Sequence, residues 1–362
     1  MMFKPYLKPV MHRLLLGIVV FVAMHFAQAQ SVTYSLVDVG NANNASDTTG
    51  FGSVPYVYKI GKYEVTVANY AAFLNAVAKT DTYGLWNNAM QASANIAGIT
   101  RSGSQGSYVY AAMAKESGTD AYSPTGTPPF RTVLGQDSAN YPITYVSWFN
   151  AARFANWMAN GQPVGAQDAT TTEDGAYKVS GANTKGAAPG KNTINPNTGS
   201  APTFYLPTEN EWYKAAFHDQ GLNGGAGGYY KYATMHNNPP GNAIPGSSTF
   251  STEPVTNQAN YIYGANYLYS VTQAAEIVTT QYYLVPVGTF SSVTSPYGAF
   301  DMNGNVWELN SLTGAGSKNV GIRGGAWTSL ESYLAKSYYL GTVPYSTAIN
   351  VGFRLAATAT TP

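Results

Sequence analysis

The sequence predicts an irregular α+β fold, and three observations carry that expectation. Helical periodicity occurs in only three stretches, each opened by a capping side chain. The strand-like stretches are short, β-branched or aromatic, and set among turns. No repeat of 20–50 residues and no Pro-rich linker divides the chain, which argues against a solenoid, a propeller or a string of modules. A chain of 362 residues is ample for one sizeable core.

The elements are justified in order. Lys4, Lys8 and Arg13 precede the apolar run Leu14 to Met24, and Ala27-Gln28-Ala29 follows as a small-x-small site. This is the layout of a secretory signal peptide over residues 1–29, cleaved after Ala29. The run of about 11 residues is too short for a bilayer, which needs roughly 20. Residues 30–362 then form a single domain. Val32 to Val39 reads as a strand, Asn41 to Gly52 as a polar loop, and Tyr56 to Ile60 as alternating strand continued by Tyr63-Glu64-Val65. Thr66 is an N-cap, after which Tyr70, Phe73, Leu74 and Val77 share one helical face to about Ala78. Residues 80–140 read as a polar insertion with a hairpin-like piece from Ser107 to Met113.

Ser147 caps the second helix, whose stripe is Trp148, Ala151, Ala152, Ala155 and Met158, and Asn160-Gly161 ends it. Residues 161–203 read as a second polar insertion on the surface. Thr208 and Glu211 form a capping box that opens the third helix, with Glu209 suited to the dipole of its first turn. Trp212, Ala215 and Ala216 supply its buried side. From residue 219 onward the chain reads as turns and short strands.

Composition narrows the function. Lys+Arg is 19 and Asp+Glu is 18, a net charge of +1, so no basic excess exists to neutralise nucleic-acid phosphates. With Cys at 0, disulfides, thiolate metal sites and cysteine nucleophiles are excluded. The 29 Tyr, 37 Gly and 10% charged residues suit a bacterial extracytoplasmic protein, periplasmic or secreted. His218 and His236 read as hydrogen-bonded or exposed loop histidines, too few for a three-histidine site. No nucleophile elbow, Walker loop or dinucleotide fingerprint stands in a strand–turn–helix context.

One segment brings metal-ligating chemistry together. Asp301-Met302-Asn303-Gly304-Asn305-Val306-Trp307-Glu308 holds two carboxylates and a glycine turn within eight residues. Calcium takes six to eight oxygens, main-chain carbonyls included, although this spacing is not that of an EF-hand. The alternative is a turn whose acids face water while Trp307 enters the core.

Six segments in order resemble the sulfatase-modifying factor family, the formylglycine-generating enzyme domain. They are Tyr63-Glu64-Val65-Thr66; Pro142 to Trp148 with Phe154-Ala155-Asn156-Trp157; Leu206-Pro207-Thr208-Glu209 with Glu211-Trp212; Tyr297-Gly298 through Glu308; Arg323-Gly324-Gly325-Ala326-Trp327; and Gly352-Phe353-Arg354. The resemblance implies a C-type-lectin-like α+β fold with little regular secondary structure. It also implies a calcium loop on Asp301, the carbonyls of Gly304 and Val306, and Glu308. A second family calcium site would begin at Asn260 and the Tyr261 carbonyl, but its aspartate position falls on Thr279. The family's two catalytic cysteines fall on Ser329 and Leu334, and its active-site serine on Ala326. Serine and leucine cannot hold Cu(I), so no copper and no formylglycine chemistry are expected.

Two functions remain open. One is an exported binding or structural module, a pseudoenzyme that recognises a glycan, peptide or protein. Its ligand-binding residues would be Tyr333, Tyr338, Tyr339 and Tyr345, since Tyr gives contact area at low entropy cost. The alternative for these rings is packing on the protein itself. The other function is a periplasmic oxidoreductase of the same family that uses a non-cysteine site.

Overall fold

The structure is a computed structural model that describes residues 31–93, 95–96, 98–113, 138–182, 186–245, 254–278, 281–311 and 320–359. The segment expected to be a signal peptide, Thr279 and much of the 80–140 insertion lie outside the described residues.

Among the described residues there are four α-helices: α1 (Val67–Val77), α2 (Ala89–Ala92), α3 (Trp148–Ala159) and α4 (Glu209–Phe217). Three start where their capping chemistry puts them. Thr66 accepts from Asn69 N while the Asn69 side chain returns to the Thr66 backbone, closing a capping box. Ser147 accepts from Asn150 N, and Thr208 and Glu211 close the second capping box. The short α2 has no apolar period to announce it.

Two four-stranded sheets organise the rest. The first runs Leu36–Val39, Tyr58–Gly61, Ala356–Thr358, Phe204–Tyr205, with every pair antiparallel. It seats the last strand between Tyr58–Gly61 and Phe204–Tyr205. The second runs Leu340–Thr342, Val320–Arg323, Trp307–Asn310, Val351–Gly352, and its last pair is parallel. Small hairpins join Ile99–Ser102 to Val109–Ala112, His218–Asp219 to Gly228–Tyr229, and Ile262–Tyr263 to Leu268–Tyr269. This is the mixed, weakly regular α+β architecture the sequence predicts. Among the described residues no helix is long and apolar enough to cross a membrane.

The main core lies between α1 and α3. Phe73 meets Phe154 at 5.3 Å and Trp157 at 5.3 Å, and Phe154 meets Phe353 at 5.5 Å. Such aromatic pairs add to area burial, the dominant stabilising term. A second cluster joins Trp212, Tyr213 and Phe217 of α4 to Tyr58 and Ile60 of the first sheet.

Two expectations need correction. The strand after Tyr56 stops at Gly61 and does not run on through Val65. Glu64 and Val65 instead lie on a crossing segment, where Val65 N donates to Phe353 O and Val65 O accepts from Ile143 N. Residues 161–203 are also more than a surface insertion. Glu173 takes Arg153 of α3 in a fork of 2.6 and 2.9 Å, and Asn156 of α3 bonds the Thr172 and Tyr177 carbonyls. Glu173 can be buried there because it finds its charged partner on the helix.

Candidate functional site

The second sheet positions the acidic segment. Glu308 sits in its central strand, opposite Arg323 on one side and Gly352 on the other. The turn before it is sharp, with left-handed backbone at Asp301 (φ 56°), Gly304 (φ 82°) and Asn305 (φ 59°). Asp and Asn tolerate that region better than other side-chain-bearing residues. Only glycine fits at 304: a Cβ there would lie 2.5 Å from Asn260 O. That close approach lets Asn305 N donate to Asn260 O at 2.8 Å and Gly304 N to Gly324 O at 2.9 Å.

Three carboxylates and one guanidinium meet behind this turn. Arg354 grips Glu308 with Nε on Oε2 at 2.6 Å and Nη2 on Oε1 at 2.5 Å, and Trp212 Nε1 donates to the same Oε2 at 2.7 Å. Arg354 also donates to Gly61 O and Phe300 O. Asp301 Oδ2 accepts from Gly288 N at 2.6 Å. Glu64 Oε1 accepts from Asn305 Nδ2 at 3.3 Å, while Glu64 Oε2 is buried with no hydrogen-bond partner among the described residues. Burial pushes the Asp301 carboxyl up to about 6, against the pull of Gly288 N–H and Arg354. Burial, then the Asp301 charge, hold the Glu64 carboxyl well above the usual range. The cluster carries more acid than its single arginine can offset.

The oxygens of the sequence-predicted metal set can be counted. Glu308 Oε2 already serves two donors, which leaves one lone pair on Oε1. Gly304 and Val306 are buried, and no hydrogen bond reaches either carbonyl among the described residues. Two buried carbonyls without donors are uncommon, and an ion is one of the things that satisfies them. Among the described residues no three His, Cys, Asp or Glu side chains form a group that could hold a metal ion. A cation here would therefore rest on two carboxylates and main-chain oxygens, a set that suits a hard cation. Asn260 Nδ2 donates to Tyr283 O and to Asn305 Oδ1, which fixes the orientation of its side chain.

Ser329 and Leu334 do come together. A Cβ on Gly325 would lie 2.6 Å from Leu334 Cδ1 and 3.5 Å from Ser329 Cβ. Both residues are buried, and Ser329 Oγ accepts from Ala326 N at 2.9 Å. A hydrocarbon and an engaged hydroxyl occupy the two positions.

The four tyrosines do not form one patch. Tyr333 and Tyr338 meet edge-on at 4.5 Å and both pack on Trp307, half-buried against the core. Tyr339 turns onto Phe51 at 5.6 Å and lies by the Arg323 guanidinium, yet stays 43% exposed. Tyr345 is 42% exposed. Packing on the protein and exposure to solvent are thus divided between the two pairs.

Glu209 has a role that dipole placement misses, because it is buried and ion-paired with Arg323. Glu211 keeps its capping role and also accepts from Tyr56 and Tyr205 hydroxyls. His218 is buried and hydrogen-bonds Tyr297 OH at 2.7 Å, and His236 bonds the Thr234 carbonyl. Sequence reasoning gave Glu64 and Arg354 no role. Their signal was present: each is a charged residue inside an otherwise apolar motif.

The chain is similar to several solved structures, and the first of them supports the fold. Treponema denticola variable protein 1 superposes with a TM-score of 0.50 at 16% identity, covering 92% of this chain and 98% of that one. CarF gives 0.45 at 20% identity, covering 91% and 99%, and PvdO from Pseudomonas aeruginosa gives 0.41 at 14%, covering 90% and 92%. No curated protein matches the chain. Residues 37–359 match the sulfatase-modifying factor enzyme 1-like domain, and the chain belongs to this FGE-sulfatase family.

Proposed function

We propose that the chain is an exported, calcium-stabilised binding module of the FGE-sulfatase family without formylglycine-generating chemistry. It recognises a glycan, peptide or protein. The observation that carries this reading is that Ser329 and Leu334, at the positions where the family's cysteines would stand, are both buried next to Gly325. Copper needs soft sulfur ligands, and this site offers a methyl group and a hydroxyl already in use. Near it Tyr333 and Tyr338 pack on Trp307, while Tyr339 and Tyr345, apart from that pair, are open to solvent. Aromatic rings held rigidly at a surface are good anchors for sugar faces and peptides. Residues 1–29 act as the export signal, and the protein works in the periplasm or outside the cell.

Calcium would be held by Asp301, the carbonyls of Gly304 and Val306, and Glu308 Oε1. Bound there it would satisfy both carbonyls and offset the surplus acid. A ligand confined to the folded state adds about 2.7 kcal/mol at a hundredfold excess over Kd. Chelation should therefore lower the melting temperature of the mature chain by several degrees, and calcium should restore it better than magnesium. An unmoved melting curve, with no calcium by elemental analysis, would leave Asp301 and Glu308 as turn residues. For the ligand, the mature chain is applied to glycan and peptide arrays. Tyr339→Ala and Tyr345→Ala should weaken any captured signal, and a signal indifferent to both would overturn the aromatic surface as the binding face.

A further inference from the structure

We propose that the chain has a second ligand site, apart from the aromatic surface, that takes a neutral mono- or disaccharide unit. The site is a cleft of about 590 Å³ bounded by the segment from Thr33 to Ser35, the start of α1 and the turn from Pro286 to Thr289. That volume falls within the ordinary range for small-ligand sites.

Charge excludes the first alternatives. No Lys, Arg or His stands in the wall, so nothing there would pair with a phosphate or a carboxylate. Lys62 lies outside it, with its ammonium 5.5 Å from the ring centroids of both Tyr63 and Phe300. Glu64 is the one acid of the wall, and it is 0% exposed, with Oε1 accepting from Asn305 and Oε2 shut away from solvent. Burial holds its carboxyl well above the usual range, toward the neutral form, so it offers no anchor to a cation. An ionic ligand would lose hydration here and gain no counter-charge.

The wall offers uncharged hydrogen-bonding groups instead. Thr33, Ser35 and Asn140 are exposed, and their side chains make no hydrogen bond among the described residues. Asn69 Oδ1 accepts from Thr66 N, which fixes the side chain and leaves Nδ2 without a partner among the described residues. Hydroxyls and amides carry both donors and acceptors, and so does each hydroxyl of a sugar. An apolar ligand would cover these groups and leave them unpaired, at a cost. Two rings of the same wall are held rigidly. Tyr34 OH donates to Tyr63 O at 2.8 Å and accepts from Leu355 N at 3.2 Å, while Tyr63 stacks on Phe300 at 5.2 Å. Tyr63 also needs glycine at 288, where a Cβ would lie 2.8 Å from its Cε1. Fixed tyrosine rings give contact area to the C–H faces of a sugar at low entropy cost.

The test screens the mature chain, with calcium present, against maltose, cellobiose, lactose and N,N′-diacetylchitobiose by saturation-transfer NMR. The strongest binder is then carried into calorimetric titration. At least one sugar should bind saturably, with an affinity that added salt leaves unchanged, because no charge pair holds it. Asn140→Ala, at an exposed position whose side chain bonds nothing, should weaken binding about two- to tenfold. Ala68→Phe, at an exposed position of α1 in the wall, should obstruct the cleft without entering the core and abolish binding. Binding of none of these sugars, binding indifferent to both variants, or preference for the blocked peptide acetyl-Ser-Asn-Ser-amide would each overturn the proposal. Loss of the sugar on Tyr339→Ala or Tyr345→Ala, with both cleft variants silent, would also overturn it and would assign the sugar to the aromatic surface, so the two sites fail separately.

Discussion

Arg354→Met is the perturbation with the clearest physical consequence. Arg354 and Glu308 are both 0% exposed and share two hydrogen bonds of 2.6 and 2.5 Å. Methionine fills much of the volume but leaves Glu308 with Trp212 Nε1 as its one remaining donor, and with Glu64 and Asp301 as acidic neighbours. It also removes the donors to Gly61 O and Phe300 O. Breaking one half of a buried ion pair costs about 3–5 kcal/mol, because the survivor keeps its desolvation penalty. Taking about 2 °C per kcal/mol for a domain this large, the melting temperature should fall by about 6–10 °C. Far-UV circular dichroism of the mature chain reads the shift. With calcium chelated, the double variant Arg354→Met, Glu308→Leu should recover most of the loss, since a buried pair replaced by apolar side chains is often neutral. A single-variant cost below about 1 kcal/mol would refute the reasoning, for it would mean that water reaches the pair.

Three further outcomes are expected. Gly304→Ala should cost at least about 2 kcal/mol, read as a lower urea midpoint at unchanged m, because φ is 82° and the new Cβ would strike Asn260 O. His218 is buried and lowered from 6.5 to about 4, so the unfolded chain binds the extra proton between those values. Stability should accordingly fall as pH drops from about 6.5 to 4, by up to about 3 kcal/mol, and His218→Gln should flatten that slope in pH-dependent melts. A peptide carrying the sulfatase Cys-x-Pro-x-Arg motif, incubated with the protein, copper and oxygen, should keep its thiol. Aldehyde formation at catalytic turnover, seen by mass spectrometry, would show that Ser329 and Leu334 do not mark a lost centre.

The sequence by itself determined what local chemistry can specify. The starts of α1, α3 and α4 were legible because a cap and its partner lie three residues apart, as in Thr66 with Asn69 and Thr208 with Glu211. The α+β class was legible because helical and strand periods are local properties of the chain. The acids and the glycine of the 301–308 turn were legible for the same reason. Only the tertiary structure decided what those acids face. Glu64 and Asn305 are 241 residues apart, and Glu308 and Arg354 are 46 apart, so no local pattern joins them. Their pairing follows from the two sheets, the first of which sets Ala356–Thr358 beside Tyr58–Gly61 and the second Val351–Gly352 beside Trp307–Asn310. The burial of Glu173 against Arg153 and the division of the four tyrosines between core and solvent are likewise results of packing. Burial depends on which surfaces the whole chain brings together, and the side chain's own identity does not contain that information.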